Sequence, residues 1–387
     1  MASAIRIGVA GIGAAGRAFL PAIRGHAAFQ LAAIAEPVAE TREAVARETG
    51  AAGFADLPSM LAGAGIDAVY IATPTELHPQ HAALAFAAKK HVLTEKPMAV
   101  RLDQAEAMVA DAARAGVVLL CGHSHSFDRP IQAIREIVAS GRLGRVRMIN
   151  TWNFTDWMYR PRRPDELEIG QGGGVTFRQG SHQFDIIRLL GGGLVRSVRA
   201  TTFDWDPARR SIGAHVVALQ FQDGAAATAV YNGYGHFSTM ELIADVSEWG
   251  FVEPLAKRAP VRRGSAGLSP ADELEAKRRR AVHAIPASAP HQPHFGLTLV
   301  SCERGDIRQS PDGLYVYAEA GREEIAVPTD KSPRDLVLDE FAAAISGRVK
   351  PIHDGRWGLA NLEVCLAAIE SSRTGTDIEL RHQVAIP

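Results

Sequence analysis

The sequence predicts an α/β protein with a parallel sheet in its N-terminal domain and a large open, mostly antiparallel sheet in a C-terminal α+β domain. Three observations lead to this prediction. Residues 1–122 alternate short β-branched runs with Ala-rich helical stretches, the pattern of βαβ units. Later segments alternate apolar and polar residues, as antiparallel strands with one solvated face do. The total of 387 residues also exceeds what one core usually needs.

The elements of the first domain follow from hydrophobic periodicity. Strands are predicted at 5–10, 31–35, 68–72, 91–93 and 117–121, and helices at 14–24, 40–48, 81–89 and 103–115. Asp103 and Glu106 have the spacing of a capping box, so Asp103 is predicted to cap the last of these helices.

The second domain is predicted to span residues 123–387. Its strands are expected at 146–153, 195–203, 216–221 and 228–231, and its helices at 131–139, 181–190, 333–345 and 359–371. Within it, segment 254–296 holds eight Lys/Arg, three Asp/Glu and six of the 21 prolines. Because charge runs usually serve solvation, this segment is predicted to be a solvated surface excursion or an oligomer arm.

The composition excludes several classes of protein. Apolar residues make up 47% of the chain and charged residues 22%, so the chain is not disordered or fibrous. A net charge of −1 gives no support to binding of nucleic acid or a membrane surface. The three cysteines are far apart, and neither a membrane span nor a signal peptide is visible. We therefore expect a cytoplasmic protein without nucleic-acid or membrane partners.

A glycine-rich turn follows the first predicted strand and opens the first predicted helix. It consists of Gly11, Ile12, Gly13, Ala14, Ala15 and Gly16. The first glycine of such a turn makes the bend, the second lets the backbone approach a pyrophosphate, and the third lets helix and strand pack closely. Glu36 ends the second strand about 20 residues later, where a carboxylate binds ribose hydroxyls. The pattern predicts a Rossmann domain that binds a dinucleotide.

Glu36 also indicates which dinucleotide is bound. A carboxylate there would repel a 2′-phosphate, and the first cation that follows it is Arg42. The sequence therefore predicts NAD rather than NADP.

Two further segments are expected at the same edge of the parallel sheet, where ligands bind. Thr73, Pro74 and His78 follow the third predicted strand and could line the cofactor or form an ordinary turn. Glu95 and Lys96 end the next strand. Lys96 would point towards the nicotinamide, where burial and positive charge lower its pKa and suit it to proton transfer.

Together these motifs resemble the glucose–fructose oxidoreductase/inositol dehydrogenase (Gfo/Idh/MocA) family. The resemblance covers nearly the whole chain except 254–296, and its motifs are 11–16, Ala72-Thr73-Pro74, Glu95-Lys96-Pro97 and Gly172-Gly173-Gly174 with His182 and Asp185. It implies a Rossmann domain, an open-sheet domain that contacts a small-molecule substrate, and a homodimer or homotetramer. It also implies catalytic roles for Lys96 and His182.

One position departs from this family. Members that oxidise sugars and inositols usually carry an aspartate four residues before the histidine, where this chain has Arg178. Segments 157–164, 177–183, 301–306 and 311–313 resemble instead the branch that contains the phthalate cis-dihydrodiol dehydrogenases. That resemblance implies NAD-linked oxidation of a cis-dihydrodiol dicarboxylate to 4,5-dihydroxyphthalate.

An anionic substrate of this kind requires cations, and a guanidinium binds a carboxylate through a planar fork of donors. In a continuous helix, Arg178 would share a stripe with His182 and Asp185, so all three are candidate site residues. Arg160 and Arg162 lie in the preceding loop and could close over the substrate or remain solvated.

Several residues near these motifs have two interpretations. His123 and His125 follow the fifth strand and could contact nicotinamide or substrate, or could be structural; no neighbouring spacing completes a metal site. Trp152, Trp157 and Tyr159 could form an aromatic wall for a ring substrate or belong to the core.

The sequence thus predicts an NAD-dependent dehydrogenase. It would remove a hydride from a carbinol carbon of a hydroxylated, anionic cyclic substrate, while Lys96 and His182 handle the proton. The alternatives are a sugar or inositol dehydrogenase of the same family and a non-catalytic dinucleotide sensor. Retention of both Lys96 and His182 argues against a sensor.

Overall fold

A six-stranded parallel sheet occupies the N-terminal part of the chain, in the order β3-β2-β1-β4-β5-β6. The structure is a computed structural model and describes residues 4–254, 268–283 and 289–387. The strands are β1 (Ile5–Ala10), β2 (Phe29–Ala35), β3 (Ala52–Phe54), β4 (Ala68–Ile71), β5 (His91–Glu95) and β6 (Leu119–Gly122). The strand order reverses between β1 and β4, and this switch point is where open α/β sheets bind ligands.

Helices connect these strands as βαβ units require. They are α1 (Ala14–Gly25), α2 (Ala39–Thr49), α3 (Leu57–Gly63), α4 (His78–Ala87) and α5 (Leu102–Ala115). The structure contains the five strands and four helices predicted here, and the parallel sheet is confirmed. The prediction omitted β3 and α3. Asp56 marks the start of α3, because its side chain accepts a hydrogen bond from Ser59 N at 2.8 Å.

The predicted capping role of Asp103 is wrong. Helix α5 begins at Leu102, with Arg101 in the N-cap position, and has no side-chain cap. Asp103 lies in the first turn, where both its carboxylate oxygens accept hydrogen bonds of 2.8 Å from the Arg101 guanidinium. Because Asp103 lies inside the first turn, its carboxylate pairs with this guanidinium and does not cap the helix.

A nine-stranded sheet forms the frame of the C-terminal part, in the order β14-β13-β12-β11-β7-β10-β9-β8-β15. Its strands are β7 (Val146–Phe154), β8 (Val195–Phe203), β9 (Ala214–Phe221), β10 (Ala226–Asn232), β11 (Leu297–Cys302), β12 (Gly305–Ser310), β13 (Gly313–Ala318), β14 (Gly321–Ala326) and β15 (Ile378–Glu379). Only the pair β7–β10 is parallel among the described strand pairs of this sheet, so the mostly antiparallel prediction is confirmed.

The remaining helices are α6 (Arg129–Ala139), α7 (Val175–Arg178), α8 (Gly180–Leu190), α9 (Pro270–His283), α10 (Pro333–Ile345) and α11 (Gly355–Thr374). Every residue of α8 is buried, and α11 packs against α8, β8 and α5. Helix α10 joins the core of the first sheet, where Phe341 stacks on Phe29 at 6.0 Å between ring centroids. No described helix is long and apolar enough to cross a membrane.

The segment 254–296, predicted to be a solvated surface excursion or an oligomer arm, is partly exposed and partly packed where it is described. Residues 255–267 and 284–288 lie outside the described residues. Helix α9, between them, packs against α1, and Phe295 is only 4% exposed. Two charged residues of α9 hold it in place through ion pairs: Glu273 binds Arg209, and Lys277 binds Glu166. Part of the charge in this segment therefore serves packing rather than solvation.

Candidate active site

A cleft of about 690 Å³ runs along the carboxyl edge of the parallel sheet. The turn after β1 and the loops after β2, β4 and β5 line one side of it, and residues of the second domain line the other. All predicted cofactor residues except Ile12 and Gly16 line this cleft: Gly11, Gly13, Ala14, Ala15, Glu36, Thr73, Pro74, His78, Glu95 and Lys96.

The glycine-rich turn has the shape that a dinucleotide requires. Gly11 has φ = +90°, and a Cβ there would lie 2.7 Å from the carbonyl oxygen of Ala72. A Cβ on Gly16 would overlap the Gly11 carbonyl oxygen, so this glycine permits close packing. A Cβ on Gly13, in contrast, would meet no atom within 4 Å. Because α1 has neither a side-chain cap nor an acidic residue in its first turn, its N–H groups suit a pyrophosphate in that space.

Glu36 is fixed at the end of β2 by two backbone donors. Its carboxylate oxygens accept hydrogen bonds from Ile12 N and Val38 N, both at 3.0 Å. A carboxylate has about four acceptor sites, so two remain for ribose hydroxyls. Arg42 donates to the carbonyl oxygens of Glu36 (2.7 Å) and Pro37 (3.3 Å). The first cation after Glu36 is therefore already bound to backbone.

Lys96 lies in the cleft at the end of β5. Its Nζ donates a hydrogen bond of 3.0 Å to the carbonyl oxygen of Arg178. Burial lowers the pKa of Lys96 to about 8, although the charge of Glu95 opposes this shift. The Glu95 carboxylate accepts a hydrogen bond from the Tyr70 hydroxyl below the site. Lys96 can therefore change its protonation state near neutral pH, as a proton-transfer group must.

His182 lies in a tight group of rings. Its ring centroid is 4.5 Å from that of His125 and 4.9 Å from that of Phe295, and its side chain is almost fully buried. Burial, followed by the charge of Lys96, lowers the pKa of His182 well below its ordinary value. His182 is therefore neutral at pH 7 and can donate or accept a hydrogen bond near Lys96.

His125 is protonated, whereas His182 is neutral. Its Nδ1 lies 3.0 Å from Asp128 Oδ2, and its Nε2 lies 3.4 Å from Glu248 Oε1. Burial alone would lower the pKa of His125, but these two carboxylates outweigh it and raise the pKa to about 9. His125 is thus a cation at neutral pH. Glu248 was absent from the sequence prediction because it lies in a distant turn that no motif marks.

The candidate arginines divide between two places. Arg160 lies on the His125 side, where its Nε donates to Asp156 at 2.6 Å and one terminal nitrogen is 3.8 Å from Glu248. Burial lowers the pKa of Arg160, but the charges of Asp156 and Glu248 outweigh it and hold the pKa above its ordinary value. Arg162 instead lines the cofactor cleft, where its guanidinium lies 4.0 Å from the Trp157 ring centroid.

Arg178 also belongs to the cofactor cleft. Its guanidinium donates to Thr75 Oγ1 at 2.9 Å and lies 3.4 Å from Asp165 Oδ2. The predicted helical stripe is wrong, because the helix is interrupted at Gln179 between α7 and α8. Arg178 and His182 therefore contact different surroundings, although the Arg178 backbone still binds Lys96.

Asp185, predicted to contact substrate, lies in the core and does not line the cleft. Its side chain is fully buried, and its Oδ1 accepts a hydrogen bond of 2.6 Å from Trp357 Nε1. Its Oδ2 lies 4.0 Å from both His123 Nδ1 and His353 Nε2. His123 is itself only 1% exposed, and burial lowers its pKa to about 4. His123 is therefore a structural residue of the core. His125, in contrast, lies against His182.

His78 connects two loops of the cleft rather than pointing its polar atoms into it. Its Nε2 lies 2.8 Å from the Thr73 carbonyl oxygen, and its Nδ1 lies 3.1 Å from the Pro97 carbonyl oxygen. Burial lowers its pKa to about 4, so the ring is neutral. A direct polar contact of His78 with the cofactor is therefore not supported.

The three aromatic residues do not form one wall. Trp157 is buried and lines the cleft, whereas Trp152 is 42% exposed on the outer face of the large sheet. The Tyr159 hydroxyl donates to Asp206 at 2.7 Å. Phe295, which stacks on His125 at 4.4 Å, was not predicted as a site residue.

The cleft has further lining residues that the sequence prediction omitted. Asp56, Leu57 and Pro58 contribute from the loop after β3, and Leu274 and Lys277 contribute from α9. The Asp-x-Pro-Ser helix start was a usable signal for the first group. The charge run around Lys277 gave no indication that α9 lies over the cleft.

Known protein families and relatives match both the N-terminal and the C-terminal part of the chain. A model of the oxidoreductase family with an NAD-binding Rossmann fold matches residues 5–123, and a model of the Gfo/Idh/MocA C-terminal domain matches residues 131–243. The chain is 40% identical over 381 residues to the 1-carboxy-3-chloro-3,4-dihydroxycyclohexa-1,5-diene dehydrogenase of Comamonas testosteroni, covering 95% of each protein.

Two other comparisons agree. The crystal structure of a protein from Bordetella bronchiseptica RB50 is 39% identical, with a TM-score of 0.91, and covers 97% of this chain and 100% of its own. The inositol 2-dehydrogenase of Rhizobium meliloti is 30% identical over 197 residues, which are 51% of this chain and 58% of that enzyme. Because the family models match both domains and a relative aligns over nearly its full length, the chain belongs to the Gfo/Idh/MocA family of NAD-dependent oxidoreductases.

Proposed function

We propose that the chain oxidises a cyclic cis-dihydrodiol that carries at least one carboxylate. The observation that carries this proposal is the cluster beside His182, where two cations, His125 and Arg160, each lie against one oxygen of the Glu248 carboxylate. The Comamonas testosteroni relative supports it, since the name of that enzyme describes a ring with one carboxyl and two adjacent hydroxyls. The phthalate-type dicarboxylate implied by the sequence resemblance is one member of this class.

The residues present can carry out the proton half of the reaction. NAD bound in the cleft would supply the hydride acceptor. Lys96 Nζ, when neutral, accepts the proton of the reacting hydroxyl as its C–H bond is broken. His182 is neutral and can hold that hydroxyl by a hydrogen bond without competing for its proton. Because loss of two hydrogens makes the ring of a dihydrodiol aromatic, the oxidation is strongly favoured.

A substrate panel tests this proposal. Initial rates with NAD and NADP would be measured for carboxylated cis-dihydrodiols, the same diols without the carboxylate, myo-inositol and glucose. We expect the highest kcat/KM for the carboxylated diols with NAD. Turnover of the neutral polyols alone would overturn the proposal and favour the sugar or inositol dehydrogenase.

Arg160 is the arginine that we propose for the substrate carboxylate. Arg160→Met should raise KM for a carboxylated diol by about 10- to 100-fold, because a hydrogen-bonded charge pair is lost. KM for the same diol without its carboxylate should change little. Arg178→Met is the matched comparison, since Arg178 lies beside Thr75 in the cofactor cleft. If only Arg178→Met raises KM for the carboxylated substrate, the carboxylate lies at Arg178 instead.

Glu36 is proposed to select NAD. Glu36→Ala should narrow the preference for NAD over NADP by about tenfold, because removal of the carboxylate ends the repulsion of the 2′-phosphate. Dissociation constants for both cofactors, measured by tryptophan fluorescence, check this outcome. The Ile12 and Val38 N–H groups lose their acceptor in the variant, so its melting temperature must be recorded as well. An unchanged ratio of the two constants contradicts this role of Glu36.

We also propose that the outer face of the large sheet joins two copies of the chain. Trp152, Val230 and Val216 are paired in register across β7, β10 and β9, so their side chains share one face. Trp152 is 42% and Val216 46% exposed, and exposed apolar surface of this kind marks an interface.

Val216→Glu should therefore shift the chain from a dimer or tetramer towards a monomer, as measured by sedimentation equilibrium. Val349→Glu is the matched control, since Val349 is 51% exposed in the loop between α10 and α11 and should leave the mass unchanged. An unaltered oligomer in Val216→Glu, or a monomeric unmodified chain, rules out this interface.

A further inference from the structure

Glu248 is a carboxylate beside the catalytic residues that the mechanism above does not use. Its Oε1 lies 3.4 Å from His125 Nε2, and its Oε2 lies 3.8 Å from an Arg160 terminal nitrogen. Each oxygen therefore has one cationic neighbour. A quarter of the side chain remains exposed, and its charge acts on Lys96, where it raises the pKa. Glu248 is thus oriented and accessible, and His125 links it to the ring of His182.

The turn that carries Glu248 is tightly held. Val246 and Val252 form an antiparallel bridge, and Ser247 N donates to the Phe251 carbonyl oxygen at 2.8 Å. The two residues before the bridge, Ala244 and Asp245, have left-handed φ values of 52° and 61°. Non-glycine residues keep such values only where their surroundings enforce them, and they cluster at functional sites. The hairpin therefore holds Glu248 against His125 and Arg160 in a defined position.

The chemistry of Glu248 suits a diol better than a second anion. A substrate carboxylate at this point would be repelled by Glu248, whereas a hydroxyl can donate a hydrogen bond to it. A cis-diol has two adjacent hydroxyls, of which one must face Lys96. The other can then turn towards Glu248, whose neighbour His125 lies against the His182 ring. Arg160, with five donors, can serve both Glu248 and a substrate carboxylate elsewhere on the ring.

We propose that Glu248 accepts a hydrogen bond from the hydroxyl adjacent to the reacting one, and so selects a vicinal diol and positions it for Lys96. This inference rests on the proposed function, since it needs a diol as substrate. It also explains how the protein supplies a carboxylate side chain to the site, although Arg178 occupies the position where the sugar-oxidising relatives usually carry an aspartate. The carboxylate comes instead from a hairpin of the second domain.

Binding of product analogues tests the proposal without turnover. The chain saturated with NADH would be titrated by calorimetry with 3,4-dihydroxybenzoate, 3-hydroxybenzoate, 4-hydroxybenzoate and benzoate. Removing the hydroxyl that faces Glu248 should weaken binding by about tenfold, as expected for a hydrogen bond to a charged group. In Glu248→Ala this difference should shrink to within twofold, and in Glu248→Gln, whose amide oxygen is an uncharged and weaker acceptor, it should be smaller than in the unmodified chain, while benzoate affinity stays the same. Glu253→Gln, an exposed carboxylate of the same hairpin, is the matched control and should keep the difference.

The outcomes separate the two proposals. If the unmodified chain binds none of these ring acids, the proposed substrate class fails and the role of Glu248 fails with it. If the unmodified chain binds them and the Glu248 variants keep the full difference, only the role of Glu248 is overturned. An equal loss of affinity for all four ligands would show that Glu248 merely holds His125 and Arg160 in place, which also overturns it. Glu248→Gln keeps the shape of the side chain, so it serves where Glu248→Ala does not fold.

Discussion

Lys96→Met will lower kcat for substrate oxidation by about a thousandfold, because general base catalysis contributes roughly 10²- to 10⁴-fold to such reactions. Methionine fills nearly the same volume but cannot accept a proton. The affinity for NAD should stay within a few-fold, since the glycine-rich turn and Glu36 are untouched. Lys350→Met, at an exposed position, is the matched control and should keep full activity. Stopped-flow measurement of NADH formation and a fluorescence titration with NAD check the two expectations separately.

The pH profile identifies the proton acceptor. Lys96 has a pKa of about 8 and accepts a proton only when neutral, so the neutral fraction rises with pH and levels off above that value. kcat/KM for oxidation should therefore increase by about tenfold per pH unit below 8 and reach a plateau above it. This limb should disappear in Lys96→Met. His125 must keep its charge over the same range, and its pKa of about 9 predicts a decline in substrate affinity at still higher pH. If kcat/KM of Lys96→Met still rises with pH and levels off at the same pKa, another group is the base.

Five of the six strands of the parallel sheet could be predicted, because each of the five has a local signal in the sequence. Apolar runs such as Ala68–Ile71 are buried on both faces and bounded by polar or Gly-rich segments. Strand β3 was not predicted, because it has only three residues and none of them is buried. It forms by pairing with β2. The hairpins between 297 and 326 were also omitted, although Gly305, Gly313 and Gly321 begin their strands and mark the turns.

The site was predictable only where a short motif follows a strand of the parallel sheet. The turn at 11–16, Glu36 and Lys96 each follow a strand of one parallel sheet, so the fold itself places them at one edge. Asp185 was assigned to the site by its place in the family motif and by helical spacing, and neither reveals which side of a fully buried helix faces the ligand. Glu248 and Phe295 reach the site through tertiary structure that involves no motif. The contacts of helix α9 were not predicted, because a charge run can pair with carboxylates of its own chain as well as with solvent.

Gly13→Val will abolish NAD binding without unfolding the protein. Gly13 has φ = −73°, which valine adopts readily, and a Cβ there meets no atom within 4 Å. The added methyl groups would instead fill the space in front of the α1 N–H groups, where the pyrophosphate must lie. We expect the dissociation constant for NAD to rise by about a hundredfold or more, because at least two hydrogen bonds to a charged group are lost. Isothermal titration with NAD measures this change directly.

Gly25→Val is the matched control at the other end of the same helix. Gly25 also has open space around its Cβ position and no positive φ, but it lies away from the cleft. Both variants replace a glycine of similar backbone freedom, so their melting temperatures without cofactor should agree within a few degrees. NAD should raise the melting temperature of Gly25→Val as it does for the unmodified chain, and should leave that of Gly13→Val unchanged, because only a bound ligand stabilises the folded state. If NAD stabilises both variants equally, the pyrophosphate does not lie against Gly13, and the dinucleotide site is placed elsewhere along the sheet edge.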